Sequence, residues 1–186
     1  MGIRMISSRK KRRYAVVRWL VFSVIIWFAF IFMTTGSYIK PNILIPLALC
    51  ISMDEDALVS AVIGFVCGFL SDLAMGDLIG SGAIILIFGC VCTSLLFTRL
   101  LRQLLLNFSV IMILYSAIHF SIKYFFSYMI WGYDNELILL LEYILPEFIL
   151  TVVSMVVVYP VVRKLRKHLT LRKRYEPEDN QALIKD

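Results

Sequence analysis

Apolar runs fill the chain from residue 16 to residue 162 and are broken only by short polar turns. A bilayer core of roughly 30 Å takes about 20 apolar residues per helix. The pattern therefore predicts an all-α polytopic membrane protein with six transmembrane helices, over 16–35, 41–53, 57–74, 80–98, 105–130 and 137–162. The second segment is short. It opens on Pro41, which suits a first helical turn, and is interrupted by Pro46, so it reads as a thinned span or a re-entrant piece. The sixth carries Pro146 at its middle. Between the segments lie a turn over 36–40, the acidic turn Asp54, Glu55 and Asp56, a glycine-acid turn over 75–79, a basic loop over 99–103 and an aromatic-acidic loop over 131–136. The last of these suits an interfacial belt.

The third segment has a second periodicity. Ser60, Gly64, Gly68, Asp72 and Gly76 are four apart, which puts them on one slowly drifting helix face. The opposite face holds Val62, Phe65, Val66, Phe69 and Leu73, suited to lipid or a larger neighbour. A glycine stripe lets another backbone approach closely, so Gly64, Gly68, Asp72 and Gly76 are candidates for helix packing, either inside the protein or against a partner. Asp72 ends the stripe, and a carboxylate there is costly unless paired, wet or protonated.

Composition agrees with the pattern: 186 residues, 60% hydrophobic, 17% charged, mean hydropathy +0.84. A soluble domain has an apolar share of about half. The net charge of +6 is concentrated at the ends, in Arg9, Lys10, Lys11, Arg12 and Arg13, and again in Arg163, Lys164, Arg166 and Lys167. Beside membrane spans such clusters set orientation and touch anionic lipid or cytoplasmic partners; nucleic acid is not expected. Three regions follow: a basic, mobile cytoplasmic arm over 1–15, a membrane domain over 16–162, and a tail over 163–186, basic and then acidic, expected to be disordered from about residue 176. Six spans with both termini inside put every Lys and Arg except Lys40 and Lys123 on the inner side, so the positive-inside rule selects that topology. Cys50, Cys67, Cys90 and Cys92 all fall within apolar runs and read as small buried residues. The first apolar segment is too long for a signal peptide and no small-x-small site follows it, so no cleavable signal is expected.

Polar residues inside the spans are the remaining candidates. Ser116, His119, Lys123 and Ser127 share one face of the fifth segment, and Glu142, Glu147, Thr151 and Ser154 lie in the sixth. An antiparallel hairpin would bring Lys123 to Glu147, sparing both the cost of lying alone in hydrocarbon. These groups fit a proton or substrate path, or interhelical bonding; bonding is the simpler reading for so short a chain. No nucleophile elbow, phosphate-binding loop or metalloprotease motif is present, and no metal or cofactor is expected. Asp72 and Asp77 across a glycine turn resemble the paired aspartates of metal-dependent membrane transferases, which need more acids on one face.

The order of these features is more specific than any one of them. Pro-Asn at 41–42 precedes an apolar segment and a polar turn. Gly-Phe-x2-Gly-Phe-Leu-x-Asp-Leu follows at 64–73, then Gly-x-Gly-Ala at 80–83. A basic loop, a long span and a last span with a proline before a basic end complete the pattern. This resembles the rod shape-determining protein MreD family over about 16–167. The departures are Phe69, where that family usually has leucine, and a longer basic arm. The resemblance implies a non-enzymatic component of the bacterial cell-elongation machinery in the cytoplasmic membrane. Its implied partners are an MreC-like bitopic protein, an MreB-like filament, a penicillin-binding transpeptidase and a polytopic glycosyltransferase. The family is also similar in size and span number to the substrate-binding subunits of energy-coupling vitamin transporters, and such a subunit is the alternative function.

Overall fold

A computed structural model describes residues 8–35, 40–99, 105–126 and 140–169 of the chain. Among the described residues six α-helices follow one another: α1 Ser8–Thr34, α2 Leu44–Ser52, α3 Ala57–Met75, α4 Ser81–Arg99, α5 Leu105–Tyr124 and α6 Leu145–Leu169, the last preceded by a π-helical turn, Leu140–Ile144. No strand occurs among the described residues. Among the described residues five helical stretches are long and apolar enough to cross a membrane: Val16–Thr34, Ala57–Met75, Ser81–Thr98, Leu106–Tyr124 and Leu140–Arg166. They mark a multi-pass membrane protein.

The second predicted span differs most from the expectation. Only Leu44–Ser52 is helical, nine residues, and all nine are buried. At about 1.5 Å per residue such a helix is far shorter than a bilayer core. Its side chains, Leu44, Ile45, Leu47, Leu49 and Ile51 among them, form the centre of the hydrophobic core. Around it α1, α3, α4, α5 and α6 all make contact. The helix is apolar all round because it is enclosed all round.

Neighbouring helices alternate in direction. The start of α2 lies beside Ser71 near the end of α3, and its final residue, Ser52, lies beside Ser60 near the start of α3. Phe108 at the beginning of α5 stacks on Tyr159 towards the end of α6, with ring centroids 5.3 Å apart. One end of the bundle thus holds Arg18, the turn over 54–56 and Arg166; the other holds Lys40, Asn42, the turn over 76–80, Lys123 and Glu147.

The closest pair is α3 and α4, and the small-residue stripe explains it. A methyl group at Gly64 would lie 2.8 Å from the Leu86 carbonyl oxygen and 2.9 Å from the Ile87 Cα, and one at Gly68 would overlap the Ala83 backbone. The opposite face of α3 is exposed, as the sequence pattern predicts: Val62, Phe65, Val66, Phe69 and Leu73 all point outward. The stripe is therefore occupied by this chain's own α4. Gly76 has a different role. It takes φ 72°, ψ 24° at the end of α3, and its N–H is donated to the Asp72 carbonyl; a Cβ there would meet open space. It ends the helix as a left-handed cap.

Other boundaries shift for local reasons. α1 begins at Ser8 and takes in the backbone of Arg9–Arg13, and α6 runs on through the basic run 163–167. Pro146 stands in the first turn of α6, just after the π-helical turn, where its missing N–H costs least. The proline inside the helix is Pro160. Three cysteines are buried, while Cys92 is exposed. Of the predicted basic loop over 99–103, Arg99 is the last residue of α4; residues 100–103, the loop over 131–136, Ser127 and the tail beyond 169 lie outside the described residues.

Gly68→Leu is expected to remove about 3 kcal/mol or more, the upper end of overpacking costs, because it must separate two backbones. Gly76→Ala is expected to cost about 1 kcal/mol for a left-handed residue with a Cβ. Thermal unfolding of the detergent-solubilised protein would rank the two; a stable Gly68→Leu variant would place the stripe on the outside.

Candidate functional site

Most of the intramembrane polar residues gather at the end of the bundle that carries the α3–α4 turn. Asp72 lies one turn before the end of α3 and is 2% exposed. The left-handed cap at Gly76 folds the chain back over it. Its Oδ2 then accepts the N–H groups of Gly80 (2.8 Å) and Gly82 (3.1 Å) at the beginning of α4. Those N–H groups have no partner within their own helix, and the helix dipole favours a negative charge there. A side chain on residue 82 would overlap the Asp72 carboxylate, whereas Gly80 has open space beside it and is required by its φ of 96°; these are the local reasons for the Gly-x-Gly at 80–82. Asp72 thus ends one helix and starts the next.

The same turn presents Asp77 to α5. Lys123, in the last turn of α5, places its Nζ 2.9 Å from Asp77 Oδ2 and 3.1 and 3.0 Å from Glu147 Oε1 and Oε2. Glu147 lies in the first turn of α6. Lys123 and Glu147 therefore also have the favourable sign for their helix termini. All three side chains are largely buried, so this cluster ties the α3–α4 turn, α5 and α6 together with few competing waters.

Beside the ion cluster lies a second set of bonds. The Asn42 side-chain amide donates to Ser71 Oγ (2.5 Å) and its backbone N–H donates to Thr151 Oγ1 (2.9 Å). Thr151 in turn donates to the Glu147 carbonyl at 2.7 Å. These bonds hold the buried start of α2 to α3 and α6.

His119 is 6% exposed, stacks on Tyr115 at 5.9 Å between centroids, and its Nδ1 has no hydrogen-bond partner. Its ring lines a cleft of about 20 Å³ with Asp72, Asp77, Ser81, Gly82 and Lys123. That is room for one water-sized group. Glu142 stands apart: it is exposed in the π-helical turn and makes no ion pair among the described residues.

The basic residues are not one surface. Arg166 turns inward, pairing with Asp54 and donating to the carbonyls of Cys50 and Ile51 at 3.0 Å each. It is thus a cap on α2 rather than a group offered to lipid. Arg163 and Lys164 are exposed. Arg18 pairs with Glu55 at 2.8 Å. The side chains of Arg9, Lys10, Lys11, Arg12, Arg13 and Lys167 lie outside the description.

Sequence reasoning reached Lys123 and Glu147 through the cost of isolated charge. It set Asp77 beside Asp72 rather than beside Lys123 and read Arg166 as a surface group; Ser71, and the bonds that Asn42 and Arg166 make around a helix shorter than predicted, it did not reach. Chemically the site is one of ion pairs and donated backbone bonds. No group of three or more His, Cys, Asp or Glu with metal-binding geometry occurs among the described residues. No protein-family model matches the chain, and neither a curated protein nor a solved structure matches it.

Lys123→Met is expected to cost about 3–5 kcal/mol, the range for stripping one partner from a buried pair. Because two carboxylates lose their partner, adding Glu147→Gln should recover only part of that loss. The triple variant Lys123→Met/Glu147→Gln/Asp77→Asn should recover most of it. Melting temperatures of the purified variants give the ranking; full recovery in the double variant would remove Asp77 from the cluster.

Proposed function

We propose that this chain is a non-enzymatic membrane scaffold of the bacterial cell-elongation machinery, of the rod shape-determining MreD type, and that it packs in the cytoplasmic membrane beside an MreC-like bitopic protein. The observation that carries the scaffold reading is the filled centre. α2 occupies it with nine buried residues, leaving at the polar end a cleft of about 20 Å³. A substrate-binding subunit needs a cavity of several hundred Å³, so the geometry favours a packing module over a carrier. The MreD assignment itself rests on the order of residues from Pro41 to Ala83 and the basic ends. An MreB-like filament and the wall-synthesis transpeptidase and glycosyltransferase complete the assembly in this reading.

The topology belongs to the same proposal: six crossings, with both ends in the cytoplasm. The alternation of helix directions supports it. So does the position of Arg18, Arg163 and Arg166 at one end of the bundle, where the positive-inside rule expects them. α2 then counts as a crossing because it leads from one end of the bundle towards the other, although enclosed by protein throughout.

With the Gly64–Gly68 face used by α4, the partner helix needs another surface. α1 is the least covered span, with 17% of its apolar window buried. It presents Val24, Trp27, Phe28, Ile31 and Phe32 outward. We place the MreC-like membrane helix there, with the exposed Arg163 and Lys164 left to anionic lipid or the filament.

A pull-down of the detergent-solubilised, C-terminally tagged protein tests the reading. An MreC-like protein and wall-synthesis enzymes are the expected recovery; an ATPase pair with a bound small molecule would overturn it in favour of a transporter subunit. Trp27→Ala/Phe28→Ala should lower recovery of the bitopic partner about tenfold, which corresponds to about 1.4 kcal/mol, without changing the melting temperature of the isolated protein. Unchanged recovery would move the docking surface off α1.

A further inference from the structure

We infer that the basic end of α6 binds one anionic phospholipid, with its phosphate between Arg163 and Lys164 and an acyl chain along the apolar strip below them. The scaffold reading leaves these two residues to lipid or filament; the site itself requires only that the bundle span a membrane.

The cations at this end of the bundle are not alike. Arg18 pairs with Glu55, and Arg166 pairs with Asp54 and the carbonyls that end α2. Arg163 and Lys164 are exposed and make no ion pair among the described residues. Neighbouring cations without a counter-ion, beside a membrane, attract anionic headgroups. Arg163 is also held in place. Its Nη1 donates to the Tyr159 hydroxyl at 3.4 Å, and its guanidinium carbon stands 5.8 Å from the centre of that ring. Tyr159 is itself buried and stacks on Phe108 of α5. A guanidinium steadied by a buried ring keeps its other N–H groups for a ligand, and its planar fork matches a phosphate.

Depth separates a lipid from a cytoplasmic protein. Tyr159 lies one turn nearer the middle of the bundle than Arg163, so the arginine side chain runs back along the helix rather than out from its end. Arg163 itself stands six residues before the end of α6 at Leu169, about 9 Å along the axis. A filament resting on the end of the bundle meets the last turns of α6, whereas a phosphate in the headgroup layer meets Arg163. Shape points the same way. At about 100° per residue, the directions of Ile149, Val153, Val156 and Pro160 all fall within the arc from Arg163 to Lys164. All four residues are exposed. They form an apolar strip about 16 Å long, close to half of a bilayer core of roughly 30 Å. The two cations therefore stand at the head of a surface that fits one acyl chain and offers a soluble anion nothing.

The test titrates the detergent-purified full chain with phosphatidylglycerol or phosphatidylcholine and counts retained lipid by native mass spectrometry. One phosphatidylglycerol should be held at a concentration about tenfold below that needed for phosphatidylcholine. Arg163→Gln should weaken its retention about tenfold and Lys164→Gln severalfold. Both side chains are exposed, so these variants should melt with the parent. Tyr159→Phe keeps the ring and the net charge and loses the hydroxyl that holds Arg163; it should weaken retention severalfold. Inorganic phosphate in excess should displace none of the lipid. Equal retention of the two lipids, full retention in Arg163→Gln and Lys164→Gln, or displacement by inorganic phosphate would overturn the site. A Tyr159→Phe variant that binds as the parent does would reduce it to general charge attraction and overturn it likewise. Loss of an MreB-like protein from the pull-down of Arg163→Gln, with lipid retention unchanged, would assign the two residues to the filament instead. Recovery of the bitopic partner does not depend on these residues, so the scaffold reading and the lipid site fail separately.

Discussion

A nine-residue helix cannot reach both faces of a layer roughly 30 Å thick, and much of this bundle follows from placing one at its centre. Both ends of α2 fall inside the protein, where the N–H groups at its start and the carbonyls at its end have little water to bond with. Other helices must supply the partners. Thr151 and Ser71 meet the segment at Asn42, and the Arg166 fork reaches the Cys50 and Ile51 carbonyls. A guanidinium suits the second task, since it offers several donors from one plane and the aliphatic stem packs on the way in. The pairing of Arg166 with Asp54 then keeps that charge compensated. Polar residues scattered in three different spans are in this sense one set, addressed to the two ends of a short helix.

The second constraint is the approach of α3 to α4. Hydrophobic burial gives little drive between helices in lipid, so close packing and backbone contact must supply it. Gly64 and Gly68 permit the contact, and Gly82 admits the Asp72 carboxylate at the N-terminus of α4. The interaction is local in sequence: ten residues separate Asp72 from Gly82. Such a hairpin can form as a unit before the rest of the bundle closes over α2.

The sequence made the long elements legible because their signal is additive: about 20 apolar residues bounded by turns leave little choice. The stripe at four-residue spacing was equally readable as a packing face. Whether its occupant was α4 or a partner was open, because periodicity says which side is small and not what lies against it. α2 was legible as apolar and short but not as enclosed. Enclosure is a property of five neighbouring helices, and the run 41–53 carries no mark of it beyond its length and the absence of a polar face. The Lys123–Glu147 contact followed from the cost of burying either charge. Asp77 did not follow, because an acid in a turn is ordinarily solvated; only the fold-back at Gly76 brings it to Lys123. Arg166 was misassigned for the related reason that a basic residue in a basic run reads as surface, whereas helix phase turns this one inward while leaving Arg163 and Lys164 outside.

These contacts divide the molecule into two parts. α3 and α4 form a close hairpin through glycine. α5 and α6 form another, through Phe108 with Tyr159 and Lys123 with Glu147. α2 lies between them and packs on both. Along α5, Tyr115 OH, Ser116 Oγ and His119 Nδ1 are buried without partners, and Tyr115 presses its ring on Gly89 of α4. A buried polar group without a partner costs stability, and in this bundle three such groups lie along α5. Lys123 joins the two parts at one end by bonding Asp77 of the first hairpin and Glu147 of the second. The cleft of about 20 Å³ lies immediately beside it, so the contact that joins the two hairpins is made at the edge of the bundle's polar end.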